Sequence, residues 1–164
     1  MGSGNDILDM YIYETNTLLE QLETIVLDAE KVDTFSVDNV NEIFRIMHTI
    51  KGSSAMMEYD SLTTVAHRIE DLFFIIREQT MDVVPEADRP TLFDLLFQSI
   101  DYFRGEIGKV ESGQPLSKDI DSFLANVNSL IGKIKGESAE SPAPVPESQP
   151  AAIPEPVSPA SQKE

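Results

Sequence analysis

His48-Thr49-Ile50-Lys51-Gly52 lies in the middle of a long helical pattern, and its His, Lys and Gly fall at i, i+3 and i+4. That spacing stacks an imidazole, an ammonium and a bare patch of backbone on one helix face. An imidazole changes charge near neutral pH, and its neutral ring nitrogen is a nucleophile. A neighbouring ammonium suits an incoming or departing phosphoryl group. A glycine removes the side chain that would block a second protein's approach. The set suits an exposed acceptor visited by another protein better than an enclosed pocket.

The second histidine of the chain, His67, precedes Glu70 by three residues on the next helical segment. His48, His67 and Glu70 all sit just off the apolar stripes of their segments. If the two segments pack side by side, these edge positions face one another across the seam. Glu70 then accepts a hydrogen bond from Nδ1–H of His48, which fixes the tautomer and leaves the Nε2 lone pair outward. The same bond favours the charged ring that phosphorylation creates, and Lys51 screens the phosphoryl oxygens. The plainer readings are a satisfied helical histidine at 48, a brace of the seam at His67, a solvated Lys51, and a Glu70 paired with Arg45.

Five amphipathic helical segments are needed to place these residues. The first runs from about Asp6 to Glu30, with Tyr11, Leu18, Leu22 and Val26 at helical spacing. The second begins near Asp38, after the polar stretch Asp33-Thr34-Phe35-Ser36, and carries Val40, Ile43, Phe44, Met47, Ile50, Ser54 and Met57 on one side. Asp60 or Ser61 is the N-cap candidate of the third, which ends near Gln79. Met81–Arg89 reads as a loop, and Pro90 as a first-turn residue of the fourth helix, which Gly113-Gln114-Pro115 ends. Ser117 is the expected cap of the fifth. Short connections between long amphipathic helices imply antiparallel neighbours. The expected fold is all-α: an antiparallel up-down four-helix bundle with a fifth helix packed outside.

Composition narrows the function. The formal charge is −17, of which the last 29 residues account for −4, leaving −13 on the body. Such acidity argues against nucleic acid and against anionic membranes as partners. With no cysteine, disulfides, thiolate catalysis and Cys-ligated zinc are excluded. Leu72-Phe73-Phe74-Ile75-Ile76, the longest bulky apolar run, is too short for membrane insertion. No secretory signal is legible, so the expected location is cytoplasmic. Residues 1–5 read as a disordered start, with Met1-Gly2-Ser3-Gly4 resembling a cloning scar. Seven of the ten prolines follow Ser141. Residues 136–164 therefore read as a flexible Pro/Ala/Ser/Glu linker belonging to a larger parent, and 6–135 as the domain. No glycine-rich phosphate loop is present, so no ATP site is expected in this chain. A di-iron bundle would need two Glu-x-x-His motifs, whereas the chain has only the reversed His67-x-x-Glu70, so no metal site is expected.

Phe44-Arg45-Ile46-Met47-His48-Thr49-Ile50-Lys51-Gly52-Ser53-Ser54-Ala55, followed by Ala66-His67-Arg68-Ile69-Glu70-Asp71-Leu72, resembles the histidine phosphotransfer (HPt, or P1) domain of the chemotaxis histidine kinase CheA. Tyr13-Glu14-Thr15 and Leu22-Glu23 resemble that family's opening helix, and a proline-rich linker follows the domain in the family. The resemblance implies that His48 is phosphorylated at Nε2. It implies that Glu70 bonds the other ring nitrogen, and that Lys51 and His67 complete a polar network. Gly52 and Ala55 would lie on the face where a partner docks. The implied partners are an ATP-binding kinase domain of the same protein family and CheY-like response regulators. ATP would be used by that absent kinase domain, and the chain itself would be a monomeric phosphoryl carrier with no cofactor. A free-standing phosphotransfer shuttle and a non-catalytic helical adaptor are the alternatives. One departure stands out: Glu58 occupies a helix-end position where many relatives have glycine.

Overall fold

The computed structural model describes residues 3–135, and the linker expected over 136–164 and the first two residues lie outside them. Five α-helices follow in order: α1 Ser3–Val32, α2 Val37–Met56, α3 Asp60–Gln79, α4 Arg89–Ser112 and α5 Asp121–Lys135. There is no strand among the described residues. By compactness the chain divides after Ile131. The first unit holds the bundle; of the second, only the last residues of α5 are described.

Helices α1 to α4 form a closed ring of neighbours, each packed on the next and α4 on α1, with the α2–α3 hairpin the most extensive contact. Alternation of direction is visible in the ties between elements. Tyr11 near the start of α1 shares a 2.8 Å hydrogen bond with Ser54 near the end of α2. Arg89 at the start of α4 donates to the Asp33 carbonyl just beyond α1 at 3.2 Å. The interior is apolar, with Leu22, Ile43, Met47, Ile50, Leu62, Phe73, Ile76 and Phe103 fully buried. Burying each such side chain contributes about 1.5–3 kcal/mol, so packing, not propensity, holds these helices.

Three helices end on the same device. After α1, α2 and α4 the residues Asp33, Glu58 and Gly113 take φ of 62°, 64° and 76°. In each, the following amide reaches five residues back: Thr34 to Ala29 at 3.2 Å, Tyr59 to Ser54 at 2.9 Å and Gln114 to Lys109 at 2.8 Å. This left-handed turn satisfies carbonyls that the helix leaves open, and it favours glycine. Only α4 supplies one.

Several boundaries differ from the sequence expectations. α1 begins at Ser3 rather than Asp6, with Asp6 in its first turn, where a carboxylate suits the positive helix end. α2 begins at Val37, and the cap is Ser36, whose Oγ accepts from the Asn39 amide at 3.0 Å. Phe35 is not part of a polar stretch; it is buried against Phe73 and Phe93. Neither Asp60 nor Ser61 caps α3, because both are already inside the helix and Tyr59 holds the cap position. The Met81–Arg89 loop contains two short 3-10 turns and buries Met81 and Val84. Ser117 does not cap α5. Its amide donates to the buried carboxylate of Glu106 at 2.7 Å, and the helix starts only at Asp121. α5 lies outside the four-helix ring and is tied to α3 by a hydrogen bond from Arg68 to the Asn128 side chain.

Candidate functional site

His48 is on the second half of α2 and Glu70 in the middle of α3, at matching heights about the Met57-Glu58-Tyr59 turn. The helices bring them together because Met47 and Ile50 on one side and Ile69 and Phe73 on the other are driven into the core. Edge positions next to those residues must then meet. His48 Nδ1 lies 2.5 Å from Glu70 Oε2, and Lys51 Nζ lies 2.7 Å from Glu70 Oε1. One carboxylate thus holds both the imidazole and the ammonium.

Exposure is unequal across the set. The side chain of His48 is 64% exposed, that of Lys51 27%, and that of Glu70 8%. Burial by itself would push the Glu70 carboxyl upward, but hydrogen bonds and positive charge from Lys51 and His48 outweigh it and hold the group below its ordinary value. Glu70 is therefore ionised at neutral pH and can only accept, so the His48 proton must sit on Nδ1. The lone pair of the neutral ring is left on Nε2, the nitrogen that the acid does not hold. Arg45 is engaged by Glu42 at 2.9 Å, so the plainer pairing of Glu70 with Arg45 does not occur.

His67 stands apart from this group. Its Nε2 lies 3.5 Å from Asp71 Oδ1 one turn along α3, and it makes no hydrogen bond to His48, Lys51 or Glu70 among the described residues. Asp71 also takes Arg68 at 2.7 Å, the same arginine that holds α5. Gly52 is exposed one turn beyond His48, and a Cβ built there would meet nothing within 4 Å. Ala55, exposed on the same helix, extends that small-residue surface. Among the described residues no cluster of three His, Cys, Asp or Glu is placed to hold a metal ion. No described helix is long and apolar enough to cross a membrane.

Phe44, on the apolar side of the second segment in the sequence, is half-buried and has a neighbour the stripe does not show. Its ring is stacked with that of His48, with centroids 6.4 Å apart and planes 14° from parallel. Arg77 of α3 lies over the Phe44 ring at 4.9 Å, and Phe74 packs beside it at 6.3 Å. The i, i+4 spacing of Phe44 and His48 is the signal that could have shown this.

Fold and site together define an all-helical domain in which the solvent-facing imidazole of His48 is held by a buried acid from the adjacent helix. The chain belongs to the Hpt domain family, whose pattern it matches over residues 6–103. It is 31% identical to the chemotaxis protein CheA of Treponema pallidum over 87% of its own length, but over only 18% of that protein. It is 30% identical to CheA of Bacillus subtilis over 85% of its length and 19% of that protein. The sensor histidine kinase CheAY of Helicobacter pylori is 29% identical over 60% of the chain and 12% of the relative. The chain spans less than a fifth of the length of these curated relatives. No solved structure matches it.

Proposed function

We propose that this chain is the phosphoryl-carrying domain of a CheA-like chemotaxis histidine kinase. The observation that carries the reading is the exposed His48 ring, with Nδ1 tied to Glu70 at 2.5 Å, which leaves Nε2 as the nitrogen with the free lone pair. In the first step the Nε2 lone pair attacks the γ-phosphorus of ATP held by a separate kinase domain. A nitrogen–phosphorus bond forms, the bond to the bridging oxygen breaks, and ADP leaves. The ring, still protonated at Nδ1, becomes cationic, and the Glu70 carboxylate is already in place to stabilise that charge. In the second step an aspartate of a CheY-like response regulator attacks the phosphorus, the nitrogen–phosphorus bond breaks, and His48 returns to its neutral form.

Each neighbour has a part in this reading. Lys51 holds the second oxygen of Glu70 and keeps positive charge near the incoming phosphoryl group. Gly52 and Ala55 give a partner close access to the backbone beside the ring. His67 braces Asp71 and Arg68 on the same rim. The site of action is the cytoplasm, where ATP and response regulators meet.

Incubated with a CheA kinase domain and ATP labelled at the γ-phosphate, the chain should take up label that is acid-labile and base-stable. His48→Gln should abolish uptake. Equal labelling of the variant would refute the assignment and leave the adaptor reading in its place.

A further inference from the structure

Among the described residues the His48 side chain makes one hydrogen bond, through Nδ1, and most of that side chain is in solvent. The ring turns as one rigid plate about its Cβ–Cγ bond, and the Nδ1 bond is one restraint on that rotation. A flat neighbour beside the ring adds a second restraint and narrows the arc that Nε2 sweeps. Phe44 supplies that surface. It precedes His48 by one helical turn, and the two rings lie within 14° of parallel. The separation of their centroids, 6.4 Å, is within the range of an offset aromatic pair.

Phe44 is itself held from the other helix. Phe74 packs at 6.3 Å from it, and the Arg77 guanidinium sits 4.9 Å from its centroid, a cation–π contact. Phe74 is 50% exposed, so its position is not explained by burial in the core. α3 therefore reaches the imidazole by two routes: directly through Glu70 at Nδ1, and indirectly through Phe74 and Arg77 acting on the Phe44 ring.

We propose that Phe44 is a positioning residue for phosphoryl transfer at His48, its ring limiting the swing of the imidazole so that Nε2 stays on the line of attack. This rests on the carrier reading above. Transfer needs the attacking atom and phosphorus in line, and small misplacement is expensive in rate. Phe44→Leu keeps apolar bulk but removes the flat face, and Phe44→Tyr keeps the face.

The test uses the full chain with a CheA kinase domain and labelled ATP. Phe44→Leu should lower kcat roughly tenfold while KM for the chain stays within about twofold, and Phe44→Tyr should restore kcat. The ring-proton resonances of His48 should carry a ring-current shift in wild type and Phe44→Tyr that Phe44→Leu loses. Arg77→Ala, a surface change that leaves the Phe44 ring in place but less held, should lower kcat in the same direction by a smaller factor. It decides the matter if Phe44→Leu fails to fold. Unchanged kcat in folded Phe44→Leu, or a loss confined to KM, would overturn the proposal. Wild type that takes up no label would instead end the carrier reading itself.

Discussion

Glu70→Gln separates the charge of the acid from its shape. Glu70 uses its two oxygens on two cations or potential cations, His48 at 2.5 Å and Lys51 at 2.7 Å. A glutamine keeps one acceptor for the imidazole and turns a donor toward the ammonium, so the Lys51 contact is lost and the His48 bond becomes a neutral one. Hydrogen bonds to charged groups contribute about 1.5–3 kcal/mol, against about 0.5–1.5 kcal/mol for neutral pairs. In the proposed transfer the attacking form of the ring is the neutral one and the phosphorylated ring is cationic, so most of the carboxylate's advantage falls on the phosphorylated state. With the His48 side chain 64% exposed, solvent takes part of that advantage and leaves about 1 kcal/mol. That is roughly fivefold in the equilibrium between the free and phosphorylated ring. The assay is the extent of labelling by a CheA kinase domain across a series of ATP to ADP ratios, read at equilibrium. The midpoint should move about fivefold toward higher ATP in a variant that remains folded. An unmoved midpoint would show that the acid orients the ring without stabilising its charge.

Glu58→Gly should stabilise the domain by about 0.5–1 kcal/mol in denaturant unfolding, because a left-handed conformation at φ 64° strains a residue with a Cβ. Gly52→Ala should also stabilise, by about 0.5–1 kcal/mol, since the position is helical and a Cβ meets nothing within 4 Å; passage of the phosphoryl group to a response regulator should slow, read as decay of labelled His48. Glu70 carries a carboxyl held below its ordinary value of 4.5, so its contribution to stability is fully present above that pH and is lost as pH falls through the lowered folded value. The stability difference between wild type and Glu70→Gln should therefore shrink in acid below about pH 4.5 and be constant near neutrality.

The helical period showed the bundle in the sequence because each stripe serves one core. Val40, Ile43, Met47 and Ile50 were legible for that reason, and all are buried. The His48–Glu70 meeting was legible too, since two edge positions flanking paired stripes have little choice but to face each other. What the period cannot show is the competition at helix ends. Ser117 has the chemistry of a cap, but Glu106, eleven residues earlier in the chain, holds its amide in the connection, and the helix starts only at Asp121. Asp60 and Ser61 are equally good caps on paper. The turn at Glu58, which returns the chain by the bond from Tyr59 to Ser54, starts α3 at Asp60, too early for either to cap it. The pairing of Phe44 with His48 was not legible for a related reason: at the edge of a stripe, an aromatic ring can turn toward the core or along the helix surface, and hydrophobicity alone does not choose. His67 depended on direction as well. It lies on the rim with Glu70, but its ring meets Asp71 along its own helix rather than the partners across the seam.

Two positions near the site run against local preference in opposite senses. Gly52 occupies a helix interior where a side chain would fit freely, and Glu58 occupies a left-handed turn where glycine would fit best. Each choice lowers stability. At Gly52 no atom of the described bundle approaches the missing side chain, so nothing within the fold accounts for the glycine. The bareness faces solvent, one turn from the exposed His48 imidazole. A second protein that must bring a phosphorus atom to Nε2 requires that surface to be low, and in a carrier the requirement applies to donor and acceptor alike. Glu58 lies beyond the exposed Ala55 and Met56, at the far end of the hairpin, where the backbone turn is enforced by the bond from Tyr59 to Ser54 and tolerates the misfit. On the carrier reading proposed above, the glycine is accounted for by access to His48, whereas the glutamate is tolerated because the turn is held by other means.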